Sequence, residues 1–189
     1  MNTLFRIIDF IKGPAIFQFF WHLLTSVSKL TQAEIDTVST VLGPNAINFS
    51  RARIAQGRIL ALAFKINRNR AFTLFHTVNL PTAGSHTRTN FGLLVHEFTH
   101  VLQFETVGSV YIPQALSAQR SPEGYDYGGP AQLAQDWANG KRLPDYNREQ
   151  QAQIANDYYD TVIVPGNTSD PTTRDAYQPL IAQLQNREL

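Results

Sequence analysis

Hydrophobic and polar positions divide the chain into a succession of short elements. From Leu4 to Leu24 the apolar residues crowd together: Leu4, Phe5, Ile7, Ile8, Phe10 and Ile11, then Ile16, Phe17, Phe19, Phe20, Trp21, Leu23 and Leu24. Arg6, Asp9 and Lys12 interrupt this run, and Gly13-Pro14 breaks any helix in its middle. A membrane span needs about 20 uninterrupted apolar residues, and a secretory signal wants an uncharged core with a small-residue cleavage site. The pattern fits neither and predicts two short helices that pack on the domain or touch a membrane surface or a protein partner. Residues 31–42 predict a helix, with Thr31 and Glu34 as a capping box, Ile35, Val38, Val41 and Leu42 as its apolar stripe, and Gly43-Pro44 as its stop. Residues 46–56 and 58–66 read as strands, the second also compatible with a helix. Residues 71–80 alternate apolar and polar side chains and read as one strand. Pro81 to Thr89 is a loop.

A helix is predicted from Asn90 to Glu105, capped by Thr89, with Leu94, Phe98, Val101 and Leu102 at helical spacing. A polar loop follows over 108–129. Helices over 130–139, 147–159 and 176–185 complete the chain, with a turn-like stretch over 164–173. Helices, then strands, then helices predict an α+β domain rather than a doubly wound parallel sheet. The expected division is an apolar helical segment over residues 1–30 and a single domain over 31–189.

Composition narrows the classes of function more than it names one. The 189 residues include no cysteine, which excludes disulfides, thiolate zinc ligands and thiol nucleophiles. The formal net charge of +1 leaves no broad electrostatic footprint for nucleic acid. The expected location is the cytoplasm, or outside the cell by a route that needs no recognisable signal peptide.

Chemistry is concentrated in His96-Glu97-Phe98-Thr99-His100. Two histidines four apart on a helix lie on one face, one turn apart, and can reach one metal ion. Glu97 lies about 100° further round, where a general base for a metal-bound water is expected. Two histidines leave a zinc site one protein ligand short. The metzincin arrangement is excluded, because Gln103 and Thr106 stand where its glycine and third histidine belong. Among the acids, Glu105 is turned away from the histidine face, Glu123 sits in a loop and Glu188 at the terminus. Glu149, on a helix of its own, is the favoured third ligand, and Asp126 in Tyr125-Asp126-Tyr127-Gly128 is its rival. Tyr125, Tyr127, Tyr146 and Tyr158 are candidates to stabilise an oxyanion, with Tyr127 preferred for its glycine-flanked loop. His76 reads as structural, and His22 and His86 carry no usable context.

His96-Glu97-x-x-His100 followed by a distant glutamate helix resembles the zincin metallopeptidases of the glutamate type. More narrowly, Val95 to Gln103, Tyr125-Asp126-Tyr127 and Glu149 to Tyr158 resemble the small bacterial metallopeptidase-like proteins called Vgr-related, over roughly residues 31–160. The resemblance implies a small zincin-like domain. In it a mixed or antiparallel sheet lies upstream, with an edge strand at Phe72 to Asn79 lining the cleft. The active-site helix follows, and then the glutamate helix. It implies His96, His100 and Glu149 as zinc ligands, Glu97 as base, a peptide or protein substrate, and an association with secretion or toxin loci. The pattern departs from the thermolysin-like one where an aspartate would orient a ligand histidine: here stands Gln153, with Asp157 as another orienter. The leading expectation is a zinc-dependent hydrolase, a peptidase. Its rivals are a secretion- or toxin-associated binding module with a structural or vestigial zinc site, and a zinc amidase acting on cell-wall peptides.

Overall fold

The computed structural model describes residues 2–57, 59–166 and 169–189. Two helices come first, α1 (Asn2–Phe10) and α2 (Gly13–Leu24), followed by strand β1 (Ser26–Ser28) and helix α3 (Gln32–Leu42). Then come β2 (Arg53–Gln56), helix α4 (Leu60–Ile66) and the hairpin of β3 (Phe72–Leu74) and β4 (Thr77–Asn79). The remainder is helical: α5 (Phe91–Val107), α6 (Tyr111–Arg120), α7 (Gly129–Ala138), α8 (Arg148–Tyr158) and α9 (Pro171–Gln185). The fold is α+β, with a small mixed sheet of order β1-β2-β4-β3. β1 runs antiparallel to β2, β2 parallel to β4, and β4 antiparallel to β3.

Capping residues explain where most helices begin. Thr31 and Glu34 form the expected reciprocal box at α3, and Gly43 ends that helix. Asn147 and Gln150 form another at α8, and Asp170 caps α9. At α5 the cap is Asn90, whose side chain accepts from the Leu93 amide, not Thr89. Pro14 opens α2 where its missing N–H costs nothing.

Three expectations need correction. Residues 46–52 are irregular, with a strand only at Arg53–Gln56, and residues 60–66 are helical. Leu60 and Phe64, four apart, are buried on one face of that helix against Ala55, which decides against a strand. The single strand over 71–80 is a hairpin that turns at Phe75 and His76. Phe75 takes a left-handed backbone, φ 57°, at a position with no glycine or asparagine to announce it. The Tyr111 phenol holds this turn, accepting from the Phe75 amide at 3.2 Å and donating to the Thr73 carbonyl at 2.9 Å. Tyr111 itself opens α6, in a stretch that composition marks as a loop.

The core lies between the sheet and the helical layer. Val38, Val41 and Leu42 of α3, Ile54 and Val78 of the sheet, and Leu180, Ile181 and Leu184 of α9 surround α5. From Leu94 to Gln103 every residue of α5 is buried, so this helix is an interior element and its polar side chains are interior too. α5 packs most extensively against α8.

The N-terminal pair is joined to the sheet by specific contacts. Gln18 and His22 meet the Thr77 hydroxyl at 3.0 and 2.9 Å, and the Trp21 indole donates to the Asn79 side chain at 2.8 Å. The Asp9 carboxylate accepts from both the amide and the hydroxyl of Ser109. Gly108 beside it has φ +77°, and a Cβ there would collide with that carboxylate, so the approach requires glycine. Among the described residues no single helix is long and apolar enough to cross a membrane, and α1 and α2 are bent against each other by 67°.

Candidate metal centre

α5 and α8 bring His96, His100 and Glu149 together, with one ligand atom of each lying within 4.8 Å of the others. The Nε2 atoms of His96 and His100 stand 3.3 and 3.5 Å from the same atom, Oε2 of Glu149. That oxygen is buried and accepts no hydrogen bond. The other oxygen, Oε1, accepts from the Gln119 amide of α6 at 2.9 Å. Gln119 therefore fixes the carboxylate plane and leaves one oxygen turned toward the two imidazoles. A buried carboxylate oxygen with no donor is costly. Two imidazole nitrogens and a carboxylate oxygen are the donor set that zinc takes when a further position stays open. The residues present fit such an ion.

The electrostatics of the cluster follow from its burial. Burial by itself pulls the His100 imidazole toward neutrality, but the Glu149 carboxylate outweighs it and raises the pKa from 6.5 to about 9. Burial would raise the carboxyl pKa of Glu149, yet His100 and His96 together hold it well below the usual range. Its place in the first turn of α8 adds the favourable end of the helix dipole.

Glu97 faces the same cleft from the next position round α5. Its Oε2 accepts from the Thr73 hydroxyl at 2.7 Å, and that hydroxyl also lies 3.1 Å from the Glu97 carbonyl. One threonine of the edge strand thus holds both ends of this residue. His100 is oriented by Gln103, one turn further along α5: Nδ1 lies 2.8 Å from Gln103 Oε1. The Gln103 amide is in turn held by the Arg148 carbonyl and Gln151 Oε1, at 2.9 and 3.0 Å. An amide that must donate to those two oxygens can only present its carbonyl to the histidine, which keeps a proton on Nδ1 and makes Nε2, the atom facing Glu149, the one that takes up and releases the second proton.

Several candidates fall elsewhere. Asp126 is exposed, and its Oδ1 accepts from the Gly128 amide in its own loop. Gln153 donates to Asp157 at 2.7 Å, so this pair is spent on itself and on Tyr127 and does not orient the ligand histidines as expected. Tyr127 is a core residue, its hydroxyl 2.6 Å from both Asp157 Oδ2 and the Tyr177 hydroxyl. That removes the preferred oxyanion stabiliser. Tyr146 donates to Asp136, and Tyr158 packs on Tyr177. Of the four tyrosines expected, Tyr125 is the one at the centre: its ring lies 5.8 Å from that of His96, and it lines the cleft. Burial, then the Glu149 and Glu97 carboxylates, push its phenol up, so it stays a hydrogen-bond donor. His76 sits against Glu105 at 3.1 Å, in keeping with a structural part.

The cleft in front of these groups holds about 770 Å³. Phe72, Thr73 and Leu74 of β3 form one wall, and Ile112, Ala115 and Leu116 of α6 form another. Thr73, Gln103 and Gln119 were not anticipated. Thr73 lay in a stretch read as one continuous strand rather than a hairpin, and Gln119 in a helix read as a loop. No family model, curated protein or solved structure matches the chain.

Proposed function

We propose that this protein is a zinc-dependent hydrolase that cleaves peptide bonds, with His96, His100 and Glu149 as ligands and Glu97 as general base. The reading is carried by one observation: the Glu149 oxygen that accepts no hydrogen bond stands between two histidine nitrogens, with a second buried carboxylate one step along the helix. Zinc bound there would supply a Lewis acid for the scissile carbonyl and acidity to a water. Glu97 takes one proton from the attacking water and delivers it to the departing amine, so the amide becomes an acid and an amine. Thr73 keeps the Glu97 oxygen in place for both transfers. Tyr125, protonated and beside His96, donates to the oxygen that gains charge. An extended substrate would lie along β3, with its side chains against α6.

On this reading the domain is a small zincin-like one. A peptide in a cell wall offers the same amide to this chemistry. The neutral orienter at His100, Gln103 in place of a carboxylate, favours a second reading, a binding module with zinc and slow turnover or none. The test is zinc content and peptide-library hydrolysis for the native chain and Glu97→Gln. One zinc per chain in both, with hydrolysis reduced about 10²–10⁴-fold in the variant, is expected. Zinc without hydrolysis in the native chain would leave the second reading, and a chain that takes up no zinc would overturn both.

A further inference from the structure

Helix α2 carries its amphipathicity the wrong way round for an isolated soluble domain. Its polar stripe, Gln18, Trp21, His22 and Thr25, faces inward and makes the contacts to β4 and its own backbone described by side-chain hydrogen bonds. The apolar stripe, Ile16, Phe19, Phe20 and Leu24, recurs at the same helical spacing and faces out, with Phe19 62% and Phe20 59% exposed. α1 continues the face with Ile7 and with Phe10, which is 87% exposed. Apolar exposure gathered on one stripe of α2 and repeated on α1 marks a contact surface. The exposed charges of the first thirty residues have one sign: Arg6, Lys12 and Lys29 are exposed, whereas the only acid among those residues, Asp9, is folded onto Ser109.

We propose that α1 and α2 lie in the surface of an anionic lipid bilayer, with the apolar stripe among the acyl chains and Arg6, Lys12 and Lys29 on the headgroups. Charge selects this occupant. A second copy packed on the same face would bring these cations against their own counterparts with no free acid of the first thirty residues to pair them, whereas an anionic headgroup layer meets all three. Geometry favours an interfacial placement, although the pair together has the length and composition of a broken span. Twelve residues of α2 rise about 18 Å, short of the roughly 30 Å hydrocarbon layer, and the 67° bend spreads the two helices apart rather than through it. The inward stripe anchors the pair to β4, whose partner β3 carries Thr73. The proposal does not depend on the metal reading.

The full chain is to be sedimented with vesicles of phosphatidylcholine alone and with phosphatidylglycerol added, at low and high salt. Binding to the anionic vesicles, weakened by salt and at least about tenfold weaker to the neutral ones, is expected. Phe10→Ser/Phe19→Ser/Phe20→Ser should abolish binding while keeping the native melting transition. If that variant does not fold, Arg6→Glu/Lys12→Glu, changed at two exposed positions, should lower binding by about tenfold or more. Folded native protein that stays in the supernatant overturns the proposal, as does binding indifferent to lipid charge. So does a concentration-dependent dimer that forms without vesicle binding, which would give the face to a second copy.

Discussion

The α5–α8 seam and the N-terminal helix pair break the same rule in opposite senses. In the seam, His96, Glu97, His100 and Glu149 are polar and buried; at the N-terminus, Phe10, Phe19 and Phe20 are apolar and exposed. Each arrangement costs stability in the chain alone, because buried charge is desolvated and exposed apolar surface orders water. The two differ in what they demand of a partner. Around Glu149 every other polar group is fixed: Gln119 on one oxygen, Gln103 on His100, Thr73 on Glu97. What remains is a single position with defined donors, suited to an ion. The outward face of α2 offers no comparable directional group, only area and a rim of positive charge, suited to a fluid surface. Pre-organisation thus separates a site from a surface.

Removing a ligand tests the seam most severely. His100→Ala and Glu149→Ala should each lose zinc by more than the about 10–100-fold expected for a residue that only orients a ligand. Since metal binding is linked to folding, the melting temperature in zinc should fall with the affinity. Zinc titration and thermal melts on each variant check this. A fully loaded Glu149→Ala protein would take α8 out of the site. The N-terminal variants of the vesicle experiment should leave zinc content unchanged, and a loss there would show that the two regions are not independent.

Acidity sharpens the comparison next, because the seam titrates. In the metal-free protein the His100 pKa is raised from 6.5 to about 9 by the Glu149 carboxylate, against the opposing effect of burial. The folded state therefore binds more protons than the unfolded one between these values. The stability contributed by the contact is complete below about pH 6.5 and is lost as pH rises through about 9. The depressed pKa of Glu149 reports the same contact and fails only in strong acid, as pH falls through that depressed value. Zinc must displace the His100 proton, so its apparent affinity should rise about tenfold per pH unit and level off near pH 9. Melts with and without zinc from pH 6 to 10 should therefore diverge as pH rises. A gap that is constant with pH would mean that His100 is already neutral at pH 7.

How much of this was legible depends on whether the signal was local. The α+β class, the capping box at Thr31 and the helices bearing His96 and Glu149 were readable because caps and the 3.6 period are written in adjacent residues. Placing Glu149 at the histidines needed only that α8 cross α5, and the structure brings them together. The hairpin was not readable. Its turn rests on Phe75, whose left-handed backbone is held by Tyr111 from another helix and by packing on Phe17 and Phe104. α6 was lost for a similar reason: Tyr111, Ala115 and Ala118 bury a face too weakly apolar to stand out, and Pro113 in its first turn reads as a breaker. Tyr127 was misjudged because a glycine-flanked loop says nothing about which way its ring turns; Asp157 and Tyr177 decide that, far along the chain.

The smallest effect tests whether the seam is pre-organised at all. Gln119 touches Glu149 on the oxygen away from the histidines, so it would not bind the ion. Its amide donates to a carboxylate, and it lies on the face of α6 that walls the cleft, in line with Ile112, Ala115 and Leu116. Gln119→Ala should leave the three ligands in place but free the carboxylate to rotate, lowering zinc affinity on the order of tenfold. Gln119→Glu should do more, since a carboxylate there cannot donate to Glu149 and repels it out of position. If both variants hold zinc as tightly as the native chain, α8 alone positions Glu149, and the contrast with the N-terminal face rests on donor chemistry rather than on geometry. If Gln119→Ala falls and Gln119→Glu falls further, the orientation of that one oxygen is set by α6, and a helix hidden within a loop-like sequence is part of the site.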